Sequence, residues 1–217
     1  MVLNEKKVAF IICANDDLFL DECIRYIRWL EVPEGIEVEI LEIREAKSMT
    51  SGYNEGMNSS DAKYKVYMHQ DVFLINKYFI YDILSIFKSD DRIGMIGMAG
   101  SPKMPDNGIM WSEKRVGMEN KSDSWETYRY SLEDGMWEVE AIDGLLMATQ
   151  ADIPWREDLF DGWDFYDASQ SCEMRKNGYR IVVPVQNHAW YLHDDKLILS
   201  LWNYNKYRKI FCKEYFC

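Results

Sequence analysis

The chain has 217 residues, enough for one sizeable core, and no Pro/Gly/Ser-rich linker divides it. Its 37 acidic residues against 25 basic ones give a formal net charge of -12, which opposes sequence-independent binding to phosphate backbones and argues against nucleic acid as a partner. No apolar run reaches the roughly 18–20 residues that a membrane-spanning helix needs; the N-terminal residues lack a signal peptide's apolar stretch, and Cys13, Cys23, Cys172, Cys212 and Cys217 show no metal-like pairing, so a soluble, cytoplasmic protein with free thiols is expected.

Val8 to Ala14 is a continuous apolar run that reads as a strand, and Asn15-Asp16-Asp17 offers a helix cap before Leu18 to Leu30 at helical spacing. Ile36 to Ile43 alternates apolar residues with acids and reads as a second strand, followed by a polar segment from Arg44 to Ser51. A short helix over Tyr53 to Ser60, a third strand over Tyr64 to Met68 and an amphipathic helix over Tyr78 to Phe87 come next, then a strand rich in small residues from Ile93 to Gly100. This alternation predicts an α/β fold with a mostly parallel, doubly wound sheet.

Ser101 to Asp134 carries Pro102, Pro105 and Asn107-Gly108 among many polar residues, and is expected to be a long, partly mobile excursion of the kind that forms lids and binding loops. Trp137 to Ala148 reads as one strand containing Asp143-Gly144. The acidic aromatic segment Asp161 to Asp167 leads into a helix ending at Asn177-Gly178, and Tyr179 to Pro184 is a further strand. Lys196 to Phe216 has roughly helical spacing and is expected to pack on the domain rather than lie on a membrane surface.

In open α/β sheets, ligands collect beyond the carboxyl ends of the strands, and the third strand ends in His69-Gln70-Asp71. A hard cation such as Mg²⁺ or Mn²⁺ prefers carboxylate oxygen, Mn²⁺ also accepts imidazole, and either shares its coordination with substrate phosphates. Such an ion would let an acidic protein bind a nucleoside diphosphate. The competing reading is a strand-terminal Asp71 that caps the next segment.

Taken in order, Ser48 to Gly56, Tyr67 to Val72, Ile93 to Gly100 and Gly162 to Tyr179 resemble the glycosyltransferase family-2-like group with the GT-A fold, and within it a small bacterial branch of the streptomycin-biosynthesis type. The resemblance implies a Rossmann-type α/β/α sandwich with an acceptor-side extension, and one domain of three parts: a nucleotide-binding half (1–100), an acceptor-side half (101–195) and a C-terminal helix (196–217). It further implies an inverting, metal-dependent transfer from a nucleoside diphosphate sugar to a hydroxyl of an unspecified acceptor. Assembly into a homo-oligomer stays open.

The family's Asp-x-Asp metal motif falls on His69-Gln70-Asp71, so the resemblance makes Asp71 a ligand of the divalent cation, with His69 in place of the first acid and Gln70 beside the nucleotide. Ala14-Asn15 matches the nucleobase position, and Asn54-Glu55-Gly56 matches a helix start whose amide faces the nucleotide. The acid expected after the second strand has no clean counterpart among Glu42, Arg44 and Glu45. The acceptor-side Glu-Asp motif falls on Tyr166-Asp167, followed by Arg175 and Gly178-Tyr179, which makes Asp167 the catalytic base; a helix N-cap is its competing role. His193 matches a histidine that completes metal or diphosphate binding, with His188 as a competitor. Asp143, Gly144, Trp163 and Asp164 resemble the acceptor-pocket wall. Two replaced acids, at His69 and Tyr166, keep a non-catalytic binding or assembly module as the alternative. Nucleotidyl transfer ranks last, because no Gly-rich, Lys/Arg-bearing loop follows the first strand.

Overall fold

A computed structural model describes residues 2–121, 127–130, 135–194 and 201–216. The first three strands are β1 (Asn4–Ala14), β2 (Glu37–Arg44) and β3 (Ala62–His69), with α1 (Asp17–Arg28) and α2 (Met49–Ser59) between them. Both β2 and β3 pair with β1 in parallel. Side chains alternate across β1: Val8, Phe10 and Ile12 enter a core with Leu20, Cys23, Ile24 and Ile27 of α1, whereas Ile11 and Cys13 enter a second core with Met49, Tyr53 and Met57 of α2. A strand buried on both faces needs the unbroken apolar run that this one has.

Each helix start has a local cause. The Asp16 side chain accepts from the Leu18 and Phe19 amides and caps α1. Helix α2 begins at Met49 rather than at Tyr53, because Ser48 and Ser51 form a reciprocal capping box. It tolerates two glycines because it lies close on β1: a Cβ at Gly56 would sit 2.3 Å from Ile11 Cγ2.

After β3 come β4 (Val72–Leu74), α3 (Phe79–Ser89), β5 (Ile93–Gly97) and β6 (Ala99–Ser101). The single strand expected over Ile93 to Gly100 is thus broken at Met98, with β5 in the main sheet and β6 in a smaller one. Gly97 and Gly100 permit the break, since a Cβ at either would strike Ile142 or the Ala141 carbonyl. The excursion folds in part as β7 (Val116–Asn120) and β8 (Thr127–Tyr130); residues 122–126 and 131–134 of it lie outside the described residues.

The strand expected over Trp137 to Ala148 is instead three: β9 (Met136–Glu138), β10 (Ala141–Ile142) and β11 (Leu146–Thr149), with a turn at Gly144-Leu145. Then follow α4 (Tyr166–Lys176), β12 (Arg180–Pro184), β13 (Tyr191–His193) and α5 (Leu201–Tyr215). Residues 195–200, which include the start of the expected tail helix, and Cys217 lie outside the described residues.

The main sheet has seven strands in the order β2-β1-β3-β11-β5-β12-β9, with β11 and β9 antiparallel to their neighbours and the other five strands running the same way. The small sheet runs β10-β6-β7-β8, and β13 pairs with β4. Helices α1 and α3 cover one face of the main sheet, α2 and α4 the other, and α5 packs against α4 through Tyr207 and Phe211. This mixed α/β architecture, with a large and mostly parallel central sheet, is the expected one. Among the described residues no helix is long and apolar enough to cross a membrane, and Cys13, Cys23, Cys172 and Cys212 form no disulfide.

Candidate active site

The carboxyl ends of β1, β2 and β3 open onto a cleft of about 540 Å³. Ala14 and Asn15 from β1, Gln70 and Asp71 from β3, and Glu45, Ala46 and Met49 beyond β2 line it. Gln70 ties two strand ends together, because its Oε1 accepts from the Asn15 and Asp16 amides (2.9 and 3.0 Å) while its Nε2 donates to Asn15 Oδ1 at 2.6 Å. Of Glu42, Arg44 and Glu45, the three residues after or at the end of the second strand, Glu45 alone lines the cleft. It follows β2 directly and reaches the cleft through a left-handed backbone (φ 58°), a conformation no local composition signals.

At the floor, Asp71 stands between two imidazoles. His193 Nε2 lies 3.6 Å from Asp71 Oδ2, and His69 Nδ1 lies 3.9 Å from Oδ1. Strand pairing brings His193 there: β13 runs antiparallel to β4 with His193 opposite Val72, and the Asp194 amide donates to the Asp71 carbonyl. One ligand atom from each of His69, Asp71 and His193 falls within 4.8 Å of the others, which is the spacing a metal ion needs. Asp71 Oδ1 is buried without a hydrogen-bond partner. A buried carboxylate oxygen left open between two imidazoles fits a cation.

Electrostatics agree with that fit. Burial drives the His69 pKa down to about 4 against the pull of Asp71, so the imidazole is neutral and able to ligate at neutral pH. For Asp71, burial works to raise the pKa, but the His193 and His69 imidazoles beside it outweigh it and hold the carboxyl below its ordinary value.

A second cavity of about 290 Å³ adjoins the first, and His69 and Trp163 line both. Asp143, Gly144, Asp164, Tyr166 and Asp167 line the second, with Tyr204 of α5. The two are joined by a short hydrogen bond, 2.6 Å, between His69 Nε2 and Tyr166 Oη. Gly144 makes room for it, since a Cβ there would sit 2.3 Å from Tyr166 Oη. The loop carrying Trp163 is held from two sides: Met49 N donates to Gly162 O, Thr50 Oγ1 to Phe160 O, and Tyr207 Oη of α5 to Asp161.

Asp167 does not cap α4. The cap is Phe165, in a left-handed conformation (φ 64°), and Asp167 lies one residue inside the helix, where its Oδ1 accepts from the Ala168 amide at 2.7 Å. Burial, reinforced by the nearby Asp143 charge, raises its pKa to about 7 despite the backbone amides that oppose the shift. Asp143 is pushed up to about 6, and Asp164 upward too, each by burial. Among the described residues Glu45 and Phe165 are the two non-glycine residues with positive φ, one beside each cavity. Strain of this kind collects at functional sites.

Three residues named from the sequence, Asn54, His188 and Arg175, line neither cavity. Asn54 does not face the cleft: its Nδ2 donates to Trp155 O (2.9 Å) and its Oδ1 accepts from Trp155 N (2.8 Å), so both polar ends are spent on the backbone of the segment after β11. His188, the competitor of His193, is exposed on the loop after β12 and lines neither cavity. Arg175 also points outward, to Glu140. Tyr204, Trp111 and Met104 of the second cavity carry no sequence signal, because each arrives from an element distant in the chain.

Residues 9–215 match the model of a family described as a glycosyltransferase-like family. No curated protein matches the sequence. Among solved structures, the chain is similar to S. aureus TarS 1-349 in complex with UDP, at a TM-score of 0.63 and 10% identity over 94% of this chain and 64% of that one. TarS 1-349 in complex with UDP-GlcNAc gives 0.59 at 9% identity, over 89% and 60%. The mannosyltransferase PcManGT from Pyrobaculum calidifontis, in complex with GDP-Man and Mn²⁺, gives 0.57 at 10% identity, over 90% and 58%. The chain therefore spans under two thirds of the length of these structures, and at such identity the likeness is one of fold, the GT-A fold of nucleotide-sugar glycosyltransferases.

Proposed function

Because this chain belongs to the glycosyltransferase-like family, we propose that it moves a glycosyl group from a nucleoside diphosphate sugar to an acceptor hydroxyl, with inversion at the anomeric carbon. The observation that carries the reading is the junction of the two cavities: a low-pKa carboxylate between imidazoles on one side, a carboxylate titrating near neutrality on the other, and the His69–Tyr166 hydrogen bond between them. The similar structures hold UDP, UDP-GlcNAc or GDP-Man, which supports a donor of that class.

The first cleft takes the nucleotide, with Ala14, Asn15 and Glu45 at its base end and Gln70 fixing the loop around it. His69, Asp71 and His193 would hold a divalent cation, and two imidazoles with one carboxylate favour Mn²⁺ over Mg²⁺. Such an ion, when bound, neutralises charge on the departing diphosphate. The second cavity takes the acceptor. There Asp167 accepts the hydroxyl proton as that oxygen bonds to the anomeric carbon and the bond from that carbon to the diphosphate oxygen breaks. Trp163 offers a ring face to a sugar, while Asp143 and Asp164 accept hydrogen bonds from acceptor hydroxyls. The chain is read as one transferase domain of a reducing, cytoplasmic compartment, with residues 1–100 holding the donor and 101–195 the acceptor.

Replacement of two family acids, by His69 and Tyr166, favours a second reading, a nucleotide-sugar-binding or assembly module without turnover. Donor hydrolysis and transfer assayed with Mn²⁺, beside calorimetry of nucleoside diphosphate binding, separate the two. Turnover that Asp167→Asn abolishes supports transfer. Binding without turnover across a broad set of donors supports the module, and no nucleotide binding in any metal would sink the transfer reading.

A further inference from the structure

Helix α5 has two faces of different character. Tyr207 and Phe211 are buried against α4, and Tyr204 lines the second cavity. Trp202, Lys206, Lys209 and Lys213 recur four, three and four residues apart, which at 3.6 residues per turn sets them on one ridge directly opposite Phe211. All four are exposed, Trp202 at 84% and its neighbour Leu201 at 66%.

The ridge is basic although the protein as a whole is strongly acidic. The one acid of the helix, Glu214, lies on its flank, where it pairs with Arg156. Lys206 reaches Asp161, and Lys209 and Lys213 form no ion pair among the described residues. An amphipathic arrangement of this kind, with lysines along the outer line and a large aromatic and an aliphatic residue at one end, matches the interface of an anionic bilayer. The lysines face phosphate headgroups, while the indole of Trp202 and the side chain of Leu201 enter the boundary with the acyl chains.

Against the expectation that this tail would not lie on a membrane surface, we infer that the outer face of α5 docks the protein on an anionic membrane surface through Lys206, Lys209, Lys213 and Trp202. Docking there sets the second cavity, whose wall includes Tyr204 of the same helix, about one helix diameter, roughly 10 Å, from the headgroups. It stands apart from the transfer reading, because neither cavity nor any catalytic group takes part in the contact.

The test is flotation of the full chain with vesicles of pure phosphatidylcholine and with vesicles that also contain phosphatidylglycerol, at low and at raised salt, without nucleotide or metal. The expected result is binding to the anionic vesicles alone, weakened by salt, and lowered about fivefold in partition for each lysine removed. The triple variant Lys206→Gln, Lys209→Gln, Lys213→Gln should float no better than on phosphatidylcholine while keeping its circular dichroism. Quenching of indole fluorescence by brominated lipid should disappear in Trp202→Phe, which identifies the inserted ring among eight tryptophans. Equal binding by parent and triple variant, no binding of the parent to anionic vesicles at low salt, or binding to polyglutamate as strong as to those vesicles would overturn the assignment to a bilayer.

Discussion

Asp71 and Asp167 line adjoining cavities linked by one hydrogen bond, yet their surroundings drive them in opposite directions. Asp71 lies between two imidazoles and is held below the ordinary carboxylate range. Asp167 is raised to about 7 by burial and, after it, by the charge of Asp143, which lines the same cavity. Pairs of acids whose environments separate their pKa values mark a division of labour, one group permanently charged and one able to exchange a proton near neutral pH. Burial pushes both carboxyls upward; the two imidazoles reverse that push at Asp71, whereas the Asp143 charge adds to it at Asp167.

The largest test removes the proton acceptor. Asp167→Asn should lower kcat by about 10² to 10⁴, with donor affinity unchanged. In the parent, the rate should climb about tenfold per pH unit below pH 7 and level off above it, as Asp167 loses its proton. Stability should move the other way. The folded pKa lies above the ordinary value of about 3.9, so the folded state holds the proton more tightly across that interval and loses stability as pH rises through it. Asn escapes this cost, and Asp167→Asn should match the parent in Tm near pH 4 and exceed it by about 3 °C or more at pH 8. A variant no more stable than the parent at pH 8 would show that Asp167 is not raised.

Next comes the charged partner. Asp71→Asn should weaken Mn²⁺ binding by about 100-fold, read by calorimetry, while leaving the Tm profile of Asp167 in place. A smaller effect follows from the link itself. Tyr166→Phe deletes the hydroxyl that orients His69 through Nε2, so the ring can turn and Mn²⁺ affinity should fall about tenfold. Metal affinity unchanged in Tyr166→Phe would separate the two cavities energetically.

The same two regions differ in how far the sequence discloses them. On the Asp71 side, each strand is a long apolar or alternating run, because β1 and β3 are buried along most of their length and β2 pairs in parallel with β1 as the half-exposed edge strand. A run of this kind is legible one residue at a time. On the other side, β9, β10 and β11 are short pieces in two different sheets, and the largely strand-like sequence from Trp137 to Ala148 hides the breaks. Strands β4 and β13 are three residues each and exist through pairing with one another across more than a hundred residues of chain. That pairing brings His193 to Asp71, so only the family resemblance nominated His193. Asp167 was legible through the same motif order, whereas its distance from the cap position and the presence of Asp143 beside it depend on tertiary packing.

Asn54 shows how a motif residue can stay at its place and hold a different partner. Its amide spans the backbone of Trp155, donating to the carbonyl and accepting from the N–H, and so pins α2 to the segment that leads to Trp163. Asn54→Ala leaves both backbone groups of Trp155 partly buried and unmet, at a cost of about 1 to 2 kcal/mol in denaturant unfolding. Nucleoside diphosphate affinity should hold within about twofold, since neither cleft is lined by residue 54. A loss of affinity without a loss of stability would return Asn54 to the nucleotide and require that the Trp155 contact open when the donor binds.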